Sequence, residues 1–326
     1  MPKLPRVAVI IPAYNEESVI QNCLESLLRQ TYENFCAYII DDQSTDATQQ
    51  IIRRYAEAYP NKIKLQFFGK LGPGRARNRV AAEVEADILA FTDADCEVTP
   101  MWLDELTRGI DFEDVVSCGG PQLAHPTSSD FQRRLEKMFS FVSPIIDFYQ
   151  KKNTISETRH NPLCNVAYRS HVFKDLNGFR EDLFPGEDVE IDLRIRSSGH
   201  RIHYNPRAIV YHHRPESIER FRKVMRAYGR AQGKLLRESG PKRVIQYIGV
   251  IVSLLSLAAV GAPLFARNWV LWTESTCAIL IFYFFRPRSE NVISIFFNSL
   301  EWFNGFIAGF FTNKSSPPGM LPPMKT

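Results

Sequence analysis

The sequence predicts an α/β fold: a mostly parallel, mixed, Rossmann-like sheet with helices on both faces, followed by C-terminal transmembrane helices. Three observations lead there. Apolar runs of strand length alternate with runs of helical spacing through the first 92 residues, the βαβ pattern of a parallel sheet covered on both sides. Three of the four strand-like runs end in polar motifs, and ligands of such sheets collect beyond the carboxyl ends of the strands. Residues 244–265 then run for 22 positions without a charge, enough to span a bilayer at about 20 residues.

Taken in order, 7–11 is the first strand, and 18–30 follows with helical spacing at Val19, Ile20, Cys23, Leu24, Leu27 and Leu28. Strands at 35–40, 62–68 and 87–92 alternate with helices at 45–59 and 75–85. Beyond them, 102–110 and 130–150 are helical, 163–173 is a strand entering a helix, and 186–198 is an acidic loop entering a helix. Residues 200–211 form a strand region, and 216–238 a basic helix of the kind that favours an anionic membrane surface. Two further apolar runs, 268–285 with Glu274 and 292–311 with Asn298, Glu301 and Asn304, are candidate membrane segments. The carboxylates within them are costly in a bilayer, and the last run could instead lie in the interface.

The chemistry-bearing residues stand at the strand ends. Asp93-Ala94-Asp95 places two carboxylates one small residue apart at the end of a buried run, a site for a hard divalent cation such as Mn²⁺ or Mg²⁺. Pro12-Ala13-Tyr14-Asn15-Glu16 and Asp41-Asp42-Gln43-Ser44-Thr45-Asp46 end the first two strands, with Asp46 also fitting a helix cap. Gly72-Pro73-Gly74-Arg75-Ala76-Arg77-Asn78 is a flexible loop opening a helix, whose free amides suit phosphate, with Arg77 adding a charged contact. Glu187-Asp188 is a second carboxylate pair, fit either to take a proton from a hydroxyl or to cap the helix that follows. His212-His213 follows a strand and offers imidazole either to a metal or to the core. Glu190 and Asp192 read as surface charges.

In this order the motifs resemble family-2 glycosyltransferases, enzymes of the GT-A fold that use nucleotide-sugar donors; the resemblance covers about residues 6–235. It implies donor contacts from Pro12, Tyr14, Glu16, Asp42, Arg77 and Asp93. It implies metal ligation by Asp95, Asp93 and His213 or His212, and a catalytic base at Asp188 beside Glu187. It places His160, Asn161 and Asn165 on the acceptor side. Polyprenol-phosphate sugar synthases share the early motifs, but their acceptor is already anionic, so the Glu187-Asp188 pair argues for an alcohol acceptor. The Q-x-x-R-W signature of processive polysaccharide synthases is absent, which argues against polymerisation.

The formal net charge of +4 lacks the concentrated basic face of a nucleic-acid binder. Six cysteines without a CxxC pattern suit a reduced, cytosol-facing domain, and the apolar run 7–11 is too short for a signal peptide. Lys242-Arg243 before the first apolar run, and Arg286 and Arg288 after the second, fit a membrane hairpin with both ends inside. The expected organisation is a GT-A glycosyltransferase domain over 1–238, a membrane region over 239–312 and a disordered tail over 313–326. The expected activity is inverting, metal-dependent transfer of a sugar from a nucleotide diphosphate to a hydroxyl of a membrane-associated or lipid-linked glycan, with membrane lipids as further partners and the domain on the cytoplasmic face. A polyprenol-phosphate glycosyltransferase and a non-catalytic nucleotide-sugar-binding subunit of a membrane complex are the alternatives.

Overall fold

The structure, a computed structural model, describes residues 4–111, 113–146, 153–265, 298 and 300–311. They form two compact units, one of residues 4–128 and 153–214, the other of 129–146 and 215–311.

The first unit opens with the expected alternation. The elements are β1 (Val7–Ala13), α1 (Ile20–Leu28), β2 (Phe35–Asp41), α2 (Thr48–Ala58), β3 (Ile63–Gln66), α3 (Pro73–Glu83) and β4 (Ile88–Phe91). Then come β5 (Cys96–Val98), α4 (Trp102–Gly109), β6 (Val115–Gly119) and β7 (Gln122–Ala124). After α5 (Asp130–Ile146), which belongs to the second unit, the first resumes with β8 (Ser156–Thr158), β9 (Val166–Arg169) and α6 (Ser170–Asp175). It closes with α7 (Glu187–Ser197), β10 (Arg201–Tyr204) and β11 (Val210–His212).

Eight strands make one sheet in the order β3-β2-β1-β4-β9-β6-β10-β8. β1 runs parallel to β2 and β4, whereas β9 runs antiparallel to both β4 and β6, so the sheet is mixed as expected. The pleat sends alternate β1 residues to opposite layers. Val7, Val9 and Ile11 pack with Ile20, Leu24 and Leu27 of α1 and Trp102 of α4. Ala8 and Ile10 pack with Ala76 and Val80 of α3 and Ile191 and Ile195 of α7. A second sheet, β5-β11-β7, carries the chain out of Asp93-Ala94-Asp95. The five described cysteines, 23, 36, 96, 118 and 164, are free and buried.

The second unit contains α5, α8 (Ile218–Ser239), α9 (Val244–Phe265) and α10 (Glu301–Phe311). Phe131 and Leu135 of α5 meet Ile218 and Phe221 of α8. Gly229 and Gly233 of α8 face Gly305 and Gly309 of α10 so closely that a Cβ at any of the four would collide with backbone of the other helix. Glu301 is fully buried and accepts from Arg226, whose two nitrogens lie 2.9 and 2.6 Å from Oε2, and from Arg222 at 3.2 Å.

The C-terminal transmembrane helices expected from the apolar runs are corrected here: among the described residues, no helix is long and apolar enough to cross a membrane. The described part of the third run, α10, has 11 residues. At 1.5 Å per residue it reaches about half of a hydrocarbon core about 30 Å thick. Its Glu301 serves an interhelical ion pair. The first turns of α9 are likewise spent on neighbouring helices. Gln246 is fully buried and its amide donates to Gln232 of α8, Arg243 is buried, and Gly249 lies against the ring of Phe306. The second apolar run, Arg286, Arg288 and the 313–326 tail lie outside the described residues.

Candidate functional site

The order β2-β1-β4 sets three carboxyl ends side by side, and the loops leaving them are stapled together. Asn15 adopts φ 54°, a left-handed conformation that asparagine tolerates. Its amide donates to Ser44 Oγ, and its Oδ1 accepts from the Thr45 amide at 2.7 Å. The Glu16 amide donates to Thr48 Oγ1 at 2.7 Å. Pro12 pairs with Ile40 at the end of β1, and Lys70 Nζ stands 5.5 Å from the Tyr14 ring centre.

Asp42 is buried, and its two carboxylate oxygens accept from the amides of Leu71 and Gly72 at 2.6 and 3.0 Å. Burial raises its pKa, and these two amides work against that rise. The carboxylate thus fixes the loop that opens α3. Asp41, also buried, accepts from the Ser44 amide and from Gln49. Asp46 accepts from the Thr48 amide at 3.0 Å and from the Glu17 amide at 3.3 Å.

Arg77 joins the donor motifs to the second carboxylate pair. It is buried in α3, with Nη2 2.5 Å from Asp93 Oδ1 and Nη1 3.4 Å from Glu187 Oε1. Burial raises the Asp93 pKa against the pull of Arg77, and it pushes Glu187 up to about 8 despite the same guanidinium. Asp95 stands 3.3 Å from His212 Nε2. Burial opposes the charge on both partners. The pair overrides it, raising His212 to about 9 and lowering Asp95. Asp95 and His212 are in contact, and Asp93, paired with Arg77, stands two residues before Asp95; carboxylate and imidazole are donor types that suit a divalent cation of the Mn²⁺ type. His213, the other expected ligand, sits instead 3.4 Å from Glu97.

Asp188 occupies the first turn of α7 just after Gly186, whose φ of 114° suits glycine. Its Oδ2 accepts from the Leu163 amide at 3.2 Å and its Oδ1 from the Val189 amide at 2.8 Å. Behind it lies His160, with Nε2 3.9 Å from Asp188 Oδ2 and Nδ1 2.8 Å from Asp192 Oδ2. Asp192 is buried and also accepts from the Asn161 amide and the Tyr168 hydroxyl. Burial raises its pKa while His160 holds it down. The reading of Asp192 as a surface charge is therefore corrected. The signal was its spacing: Asp188 and Asp192 are one helical turn apart and share a face. Glu190 pairs with Arg194, 2.7 Å away, as a partly buried helix-face ion pair.

Asn161 and Asn165 are buried braces. Asn161 Nδ2 donates to the His203 carbonyl. Asn165 accepts from Trp102 Nε1 at 2.8 Å and donates to the carbonyls of Pro121 and Ala208. Glu97 and His125, which meet His213, carry no motif signal, and strand 96–98 is too short to recognise from its pattern.

The profile of Glycosyl transferase family 2 matches residues 8–176. The chain is 31% identical over 202 residues to Glycosyltransferase AglE of Haloferax volcanii, covering 61% of this chain and 64% of that protein. It is 24% identical over 272 residues to the dolichyl N-acetyl-alpha-D-glucosaminyl phosphate 3-beta-D-2,3-diacetamido-2,3-dideoxy-beta-D-glucuronosyltransferase of Methanococcus voltae, covering 79% and 83%. The chain spans between 33% and 64% of the length of three curated relatives, AglE among them. In fold it is similar to the mannosyltransferase PcManGT of Pyrobaculum calidifontis, solved with GDP-Man and Mn²⁺, at TM-score 0.66 and 18% identity over 96% of this chain and 89% of that one. With the profile covering more than half of its residues, the chain belongs to glycosyl transferase family 2.

Proposed function

We propose that the protein is an inverting, metal-dependent glycosyltransferase that moves one sugar from a nucleotide diphosphate to a hydroxyl of a membrane-associated or lipid-linked glycan. The observation that carries this reading is Arg77. One buried guanidinium contacts both Asp93 of the cation carboxylates and Glu187 of the candidate base helix, so the two halves of the chemistry share one anchor.

Asp93, Asp95 and His212 would hold the cation, which when bound neutralises charge on the departing diphosphate. The residues do the rest. The Asp42 carboxylate fixes the 71–72 loop at the mouth of α3, whose first amides suit a phosphate. Asp188 takes the proton of the acceptor hydroxyl as its oxygen bonds to the anomeric carbon, on the face opposite the leaving nucleotide, which inverts the centre. The amides of Leu163 and Val189 orient that carboxylate, and His160, steered by Asp192, supports it from behind.

The lipid-linked acceptor is supported by the dolichyl-linked substrate in the name of the Methanococcus voltae relative, and Mn²⁺ by its presence with GDP-Man in the mannosyltransferase neighbour. In this reading the enzyme works on the cytoplasmic face, where nucleotide sugars are made, with the basic face of α8 toward anionic lipid. A panel of nucleotide sugars tests it, with released nucleotide and thermal stability measured with and without Mn²⁺. At about 100 times its dissociation constant, the true donor stabilises the fold by about 2.7 kcal/mol. Release should occur only with metal. Absence of binding and release across the panel would sink the reading.

A further inference from the structure

β11 ends at His212 and His213 follows it directly, and an extended chain sends consecutive side chains to opposite faces. His212 goes to Asp95. His213 goes the other way, to Glu97 on β5 and His125 just beyond β7, so the second sheet brings one ligand from each of its strands or strand ends to one point. We propose that Glu97, His125 and His213 form a second metal site, distinct from the donor-site cation, that takes a borderline transition-metal dication such as Zn²⁺.

The geometry is that of a coordination shell. Glu97 Oε1 lies 3.2 Å from His125 Nε2 and 3.4 Å from His213 Nε2. With metal–ligand bonds of 2.0–2.1 Å, the edge of a tetrahedron is about 3.3 Å, so the two edges that meet at Glu97 Oε1 already have the length of a coordination shell. All three lie within 4.8 Å of one another, and the two imidazoles stack with centres 4.9 Å apart. The side chains keep 16–17% of their surface exposed, so an ion can reach them from solvent. Two nitrogens and one oxygen favour Zn²⁺, Co²⁺ or Ni²⁺ over Mg²⁺ or Ca²⁺. The outer shell is present as well. Asn22 donates to Glu97 Oε1 at 3.3 Å, and His125 Nδ1, which accepts from the Thr127 amide at 3.2 Å and lies 2.6 Å from Thr127 Oγ1, would take the ring proton and donate to that oxygen once Nε2 binds metal. An ion here would tie β5, β7 and β11 together directly behind the Asp95–His212 pair.

The competing arrangement is a metal-free triad in which one carboxylate accepts from two imidazoles. Zn²⁺ and Co²⁺ binding to the metal-stripped full-length chain separates the two. Asp95→Asn disables the donor site, and in that background one Zn²⁺ per chain should remain, with Co²⁺ giving the strong visible absorption of a tetrahedral site. Adding His125→Gln should abolish both signals while far-UV CD stays unchanged. Thr127→Val keeps all three ligands and should weaken Zn²⁺ about 10–100-fold. If His125→Gln does not fold, Thr127→Val decides alone. The proposal is overturned if Asp95→Asn binds no Zn²⁺, if Asp95→Asn with His125→Gln binds it as tightly as Asp95→Asn, or if Thr127→Val leaves its affinity unchanged.

Discussion

Arg77, Glu187 and Asp188 show how much one buried cation organises. Arg77 sits between a cation carboxylate and the carboxylate beside the candidate base. Glu187, buried, is pushed up to about 8, which ties its protonation to folding. A carboxyl whose folded pKa exceeds its unfolded value gives stability that is full below the unfolded pKa, near 4.5, and is lost as pH rises through about 8. The wild-type chain should therefore lose thermal stability relative to Glu187→Gln as pH goes from 5 to 8.5. Melting curves of both proteins across that range check it. A constant difference would mean that Glu187 is ionised throughout. The identity of these residues was legible in the sequence, because Glu187-Asp188 and Arg77 stand at helix starts after loops. Their contact was not, since 110 positions separate Arg77 from Glu187.

At the scale of elements, the βαβ opening could be read from periodicity, because strands buried on both faces leave continuous apolar runs. The short strands 96–98, 122–124 and 156–158 could not, because three residues carry no period. The C-terminal error has a different cause. An apolar run signals burial without saying in what, and here α10 buries its face on α8. The unread signal was a matched pair of glycine spacings, Gly229 with Gly233 and Gly305 with Gly309, which let two helices approach closely. Gly305→Ala drives a Cβ onto the Arg226 carbonyl, with backbone rather than a flexible chain in the way. It should cost about 1–3 kcal/mol. Glu301→Ala should also destabilise, since it leaves Arg222 and Arg226 without their buried partner. Urea melts of both variants test the α8–α10 contact, and wild-type midpoints would refute it.

For the whole molecule, the first unit contains every residue of the proposed reaction, from Pro12 to His212. Topology gathered them: three parallel strand ends supply the candidate donor loops, and α7 supplies the candidate base. The central claim is a division of labour between Asp95 on the cation and Asp188 on the acceptor proton. The direct measurement is calorimetric titration of nucleotide with Mn²⁺, alongside transfer rates, for Asp188→Asn and Asp95→Asn. Asp188→Asn should bind nucleotide and metal as the wild type does while turnover falls about 10²–10⁴-fold. Asp95→Asn should lose metal-dependent nucleotide binding, partly restored by higher Mn²⁺. Loss of nucleotide binding in Asp188→Asn as severe as in Asp95→Asn, or wild-type turnover in Asp188→Asn, would contradict the account.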